Sequence, residues 1–230
     1  TPWATIWDKE NSQKLSLSCS LCWPQICYLV PELTLSKGRK LTIQTALDAL
    51  SHSLESLWNV NRNFVSTALA VNAAKEIIKT LPKLMEDLKN EELRDRMQQA
   101  SLKAGLAFSN TKTATAHALS YQFTLERDLP HGIACSFTIP YIIQTIFMEK
   151  ETHSNNFTDE VVNDLYKIWG KDPLKSSLAF FSEIDVSTNF RTYGINECDL
   201  QRNFSVLKSN PRGKNGIIKS ENLQSSMLES

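Results

Sequence analysis

Asp48 and His52 stand four residues apart in the run Thr42–Trp58, where Ile43, Leu47, Leu50, Leu54 and Leu57 recur in steps of three and four. That periodicity predicts a helix, which stacks the carboxylate over the imidazole on one face, one turn apart. Such a pair can grip one divalent ion, or it can be an ordinary helix-surface hydrogen bond; the spacing alone allows both. The chain has only four histidines. His117 is flanked by Ala116, Ala118 and Leu119, which predicts burial. His131 follows Pro130 at a predicted helix start and precedes Gly132, where another group can approach closely. Either histidine taken singly also reads as a satisfied core residue. His153, in the polar run 151–156, reads as a surface residue. Cys19-x-x-Cys22, with Cys27 nearby, has half the spacing of a zinc site but no second pair to complete it. Reduced thiols of a cytoplasmic protein are the better reading of all five cysteines.

These residues fall within longer segments that carry a resemblance. The stretch Thr45-Ala-Leu-Asp-Ala-Leu-Ser-His-Ser-Leu-Glu-Ser56 resembles the first metal motif of the iron-containing (group III) alcohol dehydrogenases. Gly105-Leu-Ala-Phe-Ser-Asn-Thr111, His117-Ala-Leu-Ser120 and Pro130-His-Gly132 resemble later motifs of that family, including the step of fourteen residues between His117 and His131. Thr1–Asp8 and Val30–Leu35 are similar to its mid-chain segments. The resemblance implies that Asp48, His52, His117 and His131 are the protein ligands of one Fe2+ or Zn2+, with no thiolate in the set. It implies a metal that polarises the oxygen of a small alcohol or aldehyde while hydride moves to or from NAD(P)H. Many members carry a further histidine four residues after the third ligand, proposed as a proton relay; Tyr121 stands there, either as a relay or as a wall of the cleft. The opening segment and His117–Tyr121 look most like the phosphonoacetaldehyde reductase branch. Arg39, Lys40, Lys103 and Lys112 are the candidate partners for a phosphonate, each of them equally at home on a solvated surface. A dehydroquinate-synthase-like or glycerol-dehydrogenase-like zinc enzyme would share the fold, but the Asp/His/His/His set favours the alcohol dehydrogenases.

The elements that must position these groups are mostly helical. The expected fold is mainly α: a metal-binding domain over 41–230, preceded at 1–40 by a β-hairpin and linker left from an α/β nucleotide-binding domain. Trp3–Trp7 and Lys14–Ser18 predict the hairpin around a polar turn, and Ile26–Val30 a short strand closed by Pro31. Helices are predicted over 42–58, 64–80, 92–108, 113–124, 131–149, 159–169 and 173–184. A short helix near 199–207 and a weakly patterned tail follow.

Seven glycines occur and none form G-x-G-x-x-G or a Walker loop, so no dinucleotide phosphate cradle is encoded in these residues. The resemblance places the family's nucleotide domain before Thr1, which predicts that this polypeptide holds metal yet binds NAD(P) poorly. The alternative function is therefore an inactive metal-binding or interaction remnant. A net charge of zero gives no footprint for nucleic acid, and the apolar runs at 69–74 and 139–143 are too short to span a membrane. The resemblance implies a homodimer or a larger assembly.

Overall fold

The computed structural model describes residues 1–229 apart from Lys9, Ser12, His153 and Ser154, so the surface assignment of His153 lies outside the described residues. Strands β1 (Trp3–Asp8) and β2 (Gln13–Ser18) pair antiparallel, in register from Trp3↔Ser18 to Asp8↔Gln13. The predicted strand at 26–30 does not form: these residues have no regular secondary structure. Pro24 and Pro31 bracket the segment and remove ladder donors, and β1 and β2 are the only strands among the described residues.

Ten α-helices follow among the described residues. Helix α1 (Arg39–Leu57) begins three residues before the predicted start, and its apolar stripe of Leu47, Leu50, Leu54 and Leu57 is wholly buried. Burying each of those leucines contributes about 1.5–3 kcal/mol, which makes α1 the axis of the core. Helix α2 (Phe64–Glu86) starts on an Asn63–Ser66 capping box. It runs through Pro82, where a break was expected, and ends one turn later, so the missing amide costs a single late hydrogen bond. Helix α3 (Glu91–Thr111) completes a three-helix layer with α1 and α2. The buried Arg94 fastens α3 to the start of α1: its guanidinium donates to the carbonyls of Leu88 and Lys37 and to Thr42 Oγ1.

Helix α4 spans Thr115–Arg127. The stretch expected as one helix from His131 is two, α5 (His131–Ser136) and α6 (Ile139–Thr152). Pro140, in the first turn of α6, has no amide to carry the hydrogen-bond ladder across the join. The whole stretch 131–152 is apolar and long enough to cross a membrane, but Ile139, Ile142, Ile143 and Ile146 are spent on the protein core. Helices α7 (Asn156–Trp169), α8 (Pro173–Glu183), α9 (Glu197–Ser209) and α10 (Ser220–Leu228) close the bundle. Asn155, Asp172 and Asn196 each accept a backbone N–H at their N-termini. Arg62, ahead of α2, reaches Asp164 of α7 at 2.7 Å.

Candidate metal centre

Helix α1 carries Asp48, His52 and Glu55 at spacings of four and three, which puts all three on one face. His117 comes from the first turn of α4, and His131 is the first residue of α5. Helix α5 packs directly on α1, and Gly132 makes that possible. A Cβ there would lie 1.9 Å from the Gln44 carbonyl oxygen and 3.1 Å from the Asp48 amide nitrogen. The close approach expected at Gly132 is thus a helix backbone, and it delivers His131 to the carboxylate of Asp48.

Around Asp48, His117 Nε2 lies 3.4 Å and His131 Nε2 3.8 Å from Oδ1, and His52 Nδ1 lies 3.9 Å from Oδ2. The His52 ring stacks between Phe108 and His117, with centroid distances of 4.1 and 4.3 Å. All four residues expected at the metal therefore converge, from three helices. Donor atoms of Asp48, His117, His131 and Cys135 all lie within 4.8 Å of one another, a group that does not include His52. The Cys135 sulfur sits 3.7 Å from either ring nitrogen of His131. A buried Cys135 Sγ thus stands beside the expected ligands, one helical turn after His131. Cys19, Cys22 and Cys27 belong to no such grouping among the described residues.

Glu55 is the other participant that spacing did not single out. Its side chain is fully buried and accepts four N–H groups. Oε2 accepts His117 Nδ1–H at 2.6 Å and the Ala114 amide at 3.0 Å; Oε1 accepts the amides of Ala116 at 2.5 Å and His117 at 3.2 Å. It thereby caps α4 from a neighbouring helix and fixes the His117 tautomer with Nε2 facing Asp48. Its one sequence signal is its place three residues after His52 on the face of α1 that carries Asp48.

Burial alone would raise the Asp48 carboxyl, but His52, His117 and His131 outweigh it and hold Asp48 ionised far into acid. Burial also opposes the charge on Glu55, and His117 with the α4 amides overcomes it, keeping Glu55 an anion. Burial lowers His117, but the Glu55 and Asp48 carboxylates beside it lift it well above its ordinary 6.5. Cys135 is raised by its own burial, so its thiol is protonated near neutrality. Asp48 Oδ1 and His117 Nε2 are both buried and neither makes a hydrogen bond. A buried carboxylate oxygen and an imidazole nitrogen 3.4 Å apart, neither with a hydrogen-bond partner, are the kind of donor atoms that a divalent cation takes. The residues fit a divalent ion.

A cavity of about 490 Å³ opens onto this group, with Trp3, Phe108, Lys112, Tyr121, His131 and Arg212 in its walls. A second, of about 500 Å³, shares Asp48, His52 and Phe108 and is lined by Tyr28, Leu29 and Leu102. Tyr121 lines the first cavity; its hydroxyl accepts from Arg212, and its ring centroid is 6.2 Å from that of His131. Of the candidate cations, only Lys112 lies in that cavity. Arg39 pairs with Asp185 at 2.8 Å, Lys103 donates to Asn72, and Lys40 lines neither space.

A helical bundle thus gathers one carboxylate and three imidazoles beside an open cavity, a donor set suited to a divalent metal. Residues 42–208 match the Fe-containing alcohol dehydrogenase family, C-terminal part, and the chain belongs to that family. It is 31% identical over 144 residues to the phosphonoacetaldehyde reductase of Streptomyces viridochromogenes, a match covering 63% of this chain and 36% of that protein. It is 26% identical over 223 residues to the sulfoacetaldehyde reductase of Bilophila wadsworthia, covering 89% of this chain and 56% of that one. Among solved structures it is similar to the sulfoacetaldehyde reductase from Bifidobacterium kashiwanohense in complex with NAD+, at a TM-score of 0.86 and 26% identity. That match covers 100% of this chain and 60% of the other. The chain thus spans from about a third to somewhat over half of these relatives.

Proposed function

We propose that this chain supplies the metal-bearing helical unit of an NAD(P)-linked alcohol dehydrogenase or aldehyde reductase, with Asp48, His52, His117 and His131 as protein ligands. The observation that carries the reading is the facing pair of orphaned buried atoms, Asp48 Oδ1 and His117 Nε2. When bound, a divalent ion such as Fe2+ or Zn2+ supplies Lewis acidity toward the substrate oxygen, and a nicotinamide supplies the hydride partner.

The chain's own residues prepare that chemistry. Asp48 brings the negative charge, and the three imidazoles bring neutral nitrogens that tolerate either metal. Glu55 keeps the His117 proton on Nδ1, which leaves Nε2 as a donor atom toward the ion. Phe108 and Trp3, with ring centroids 5.3 Å apart, form an apolar wall that excludes water beside His52. In the oxidation direction the substrate hydroxyl must lose a proton. The Tyr121 hydroxyl, held by Arg212 at the cavity wall, is the oxygen through which the chain passes it toward solvent.

Metal analysis of the purified protein tests the site. Asp48→Ala and His131→Ala should each abolish stoichiometric metal, and unchanged metal content in both would refute the assignment. NAD(P)H-linked reduction of short aldehydes by the complete polypeptide, as its gene encodes it, tests the activity. Metal bound without turnover would point to the inactive remnant instead.

A further inference from the structure

Lys112 ends α3 with φ 65° and ψ 176°, a backbone region that is essentially reserved for glycine. A lysine held there is under strain that its surroundings must impose. Its carbonyl accepts from Asn59 Nδ2 at 3.1 Å and from Thr111 Oγ1 at 2.9 Å, which pins the peptide, and the residue lines the cavity that opens onto the candidate metal group. Arg212, across the same cavity, donates to Tyr121 with one guanidinium nitrogen and keeps others for a second partner. Neither cation pairs with a carboxylate among the described residues. The only acidic side chain in the walls is Asp48, which the metal would claim. The neighbouring cavity holds no cation in its walls. The cationic cavity therefore has two positive charges left over for whatever enters it.

We propose that Lys112 and Arg212 form a seat for the anionic end of the substrate, a short aldehyde or alcohol carrying a tetrahedral phosphonate or sulfonate. This rests on the metal-held alcohol or aldehyde proposed above and adds the chemistry at the substrate's other end. One end is polarised at Asp48, His117 and His131. The other forms charge-assisted hydrogen bonds to a fork-shaped guanidinium and an ammonium. Backbone strain at Lys112 is the cost of placing an ammonium where a glycine would relax the turn.

The test is titration of 2-hydroxyethylphosphonate, 2-hydroxyethanesulfonate and 1-propanol into the complete polypeptide loaded with Zn2+. At least one anionic alcohol should bind about tenfold or more tighter than 1-propanol, and whichever binds more tightly identifies the head group. Lys112→Gly and Arg212→Ala should each shrink that gap. Lys112→Gly relieves the strained backbone, so it should melt no lower than the parent, and the loss cannot be a folding defect. Equal binding of all three alcohols would overturn the proposal. So would variants that weaken NADH binding and leave the gap intact, because the cations would then serve the nucleotide's phosphates. If Zn2+ is not retained, the metal reading fails separately. The seat is then judged with inorganic phosphate, whose binding must still fall in both variants.

Discussion

Replacing Glu55 by glutamine changes one atom, yet the geometry makes it a severe change. Every partner of the Glu55 carboxylate is a donor: the amides of Ala114, Ala116 and His117, and His117 Nδ1–H. A glutamine keeps one acceptor oxygen and presents an NH2 in place of the other. If the NH2 faces Ala116 and His117, two buried backbone amides lose their acceptor, at about 1–3 kcal/mol each. If it faces His117 instead, the imidazole can meet it only by moving its proton to Nε2, the atom needed for the ion, while the Ala114 amide is orphaned. Either arrangement costs roughly 2–5 kcal/mol of stability and about 10–100-fold in metal affinity. Thermal melting of the metal-free protein and competition against a Zn2+-binding dye would measure the two quantities. Metal affinity within twofold of the parent, together with an unchanged melting temperature, would refute the assignment of Glu55 as the group that orients His117.

Gly132→Ala places a methyl against the Gln44 carbonyl. It should cost about 1–3 kcal/mol and lower metal affinity by prising His131 from Asp48, as read by melting and metal competition. Lys112→Gly should raise stability by about 1–3 kcal/mol in denaturant unfolding, because glycine accepts the backbone angles there. The metal must take His117 Nε2 unprotonated while His117 is held well above 6.5. Affinity should therefore climb about tenfold per pH unit up to that raised value, and metal uptake in weak buffer should release a proton. In the metal-free protein the contribution of protonated His117 is full below its ordinary value and is lost as pH rises through the raised one, so the apo form should weaken on the alkaline side.

The helices that a leucine stripe defines were legible from spacing. Helix α1 and its buried face follow directly from Ile43 to Leu57, and the hairpin from its alternation around a polar turn. Asp48, His52, His117 and His131 were reached by motif, since residues 69 positions apart (48 to 117) share no local signal. Glu55 was hidden for the same reason. Its partners lie about sixty residues on, and a glutamate on a helix reads as solvated until the neighbouring helix is in place. Cys135 carries no signal in a count of cysteines; only its place one turn after His131, once α5 packs on α1, brings it beside the histidines. The join between α5 and α6 and the passage of α2 through Pro82 depend on what packs around each proline, which the sequence does not state locally.

The capping of α4 by Glu55 has a further consequence. The N-terminus of a helix is normally a ready berth for phosphate-like ions, through its unpaired amides and positive dipole end. Here a glutamate of the protein already occupies that berth, within one residue of His117. An anionic ligand near Asp48 and His117 is thus denied the inexpensive backbone cradle. It must be met by side chains that reach in from elsewhere, and single substitutions there can retune which molecules are accepted without disturbing the metal's own scaffold.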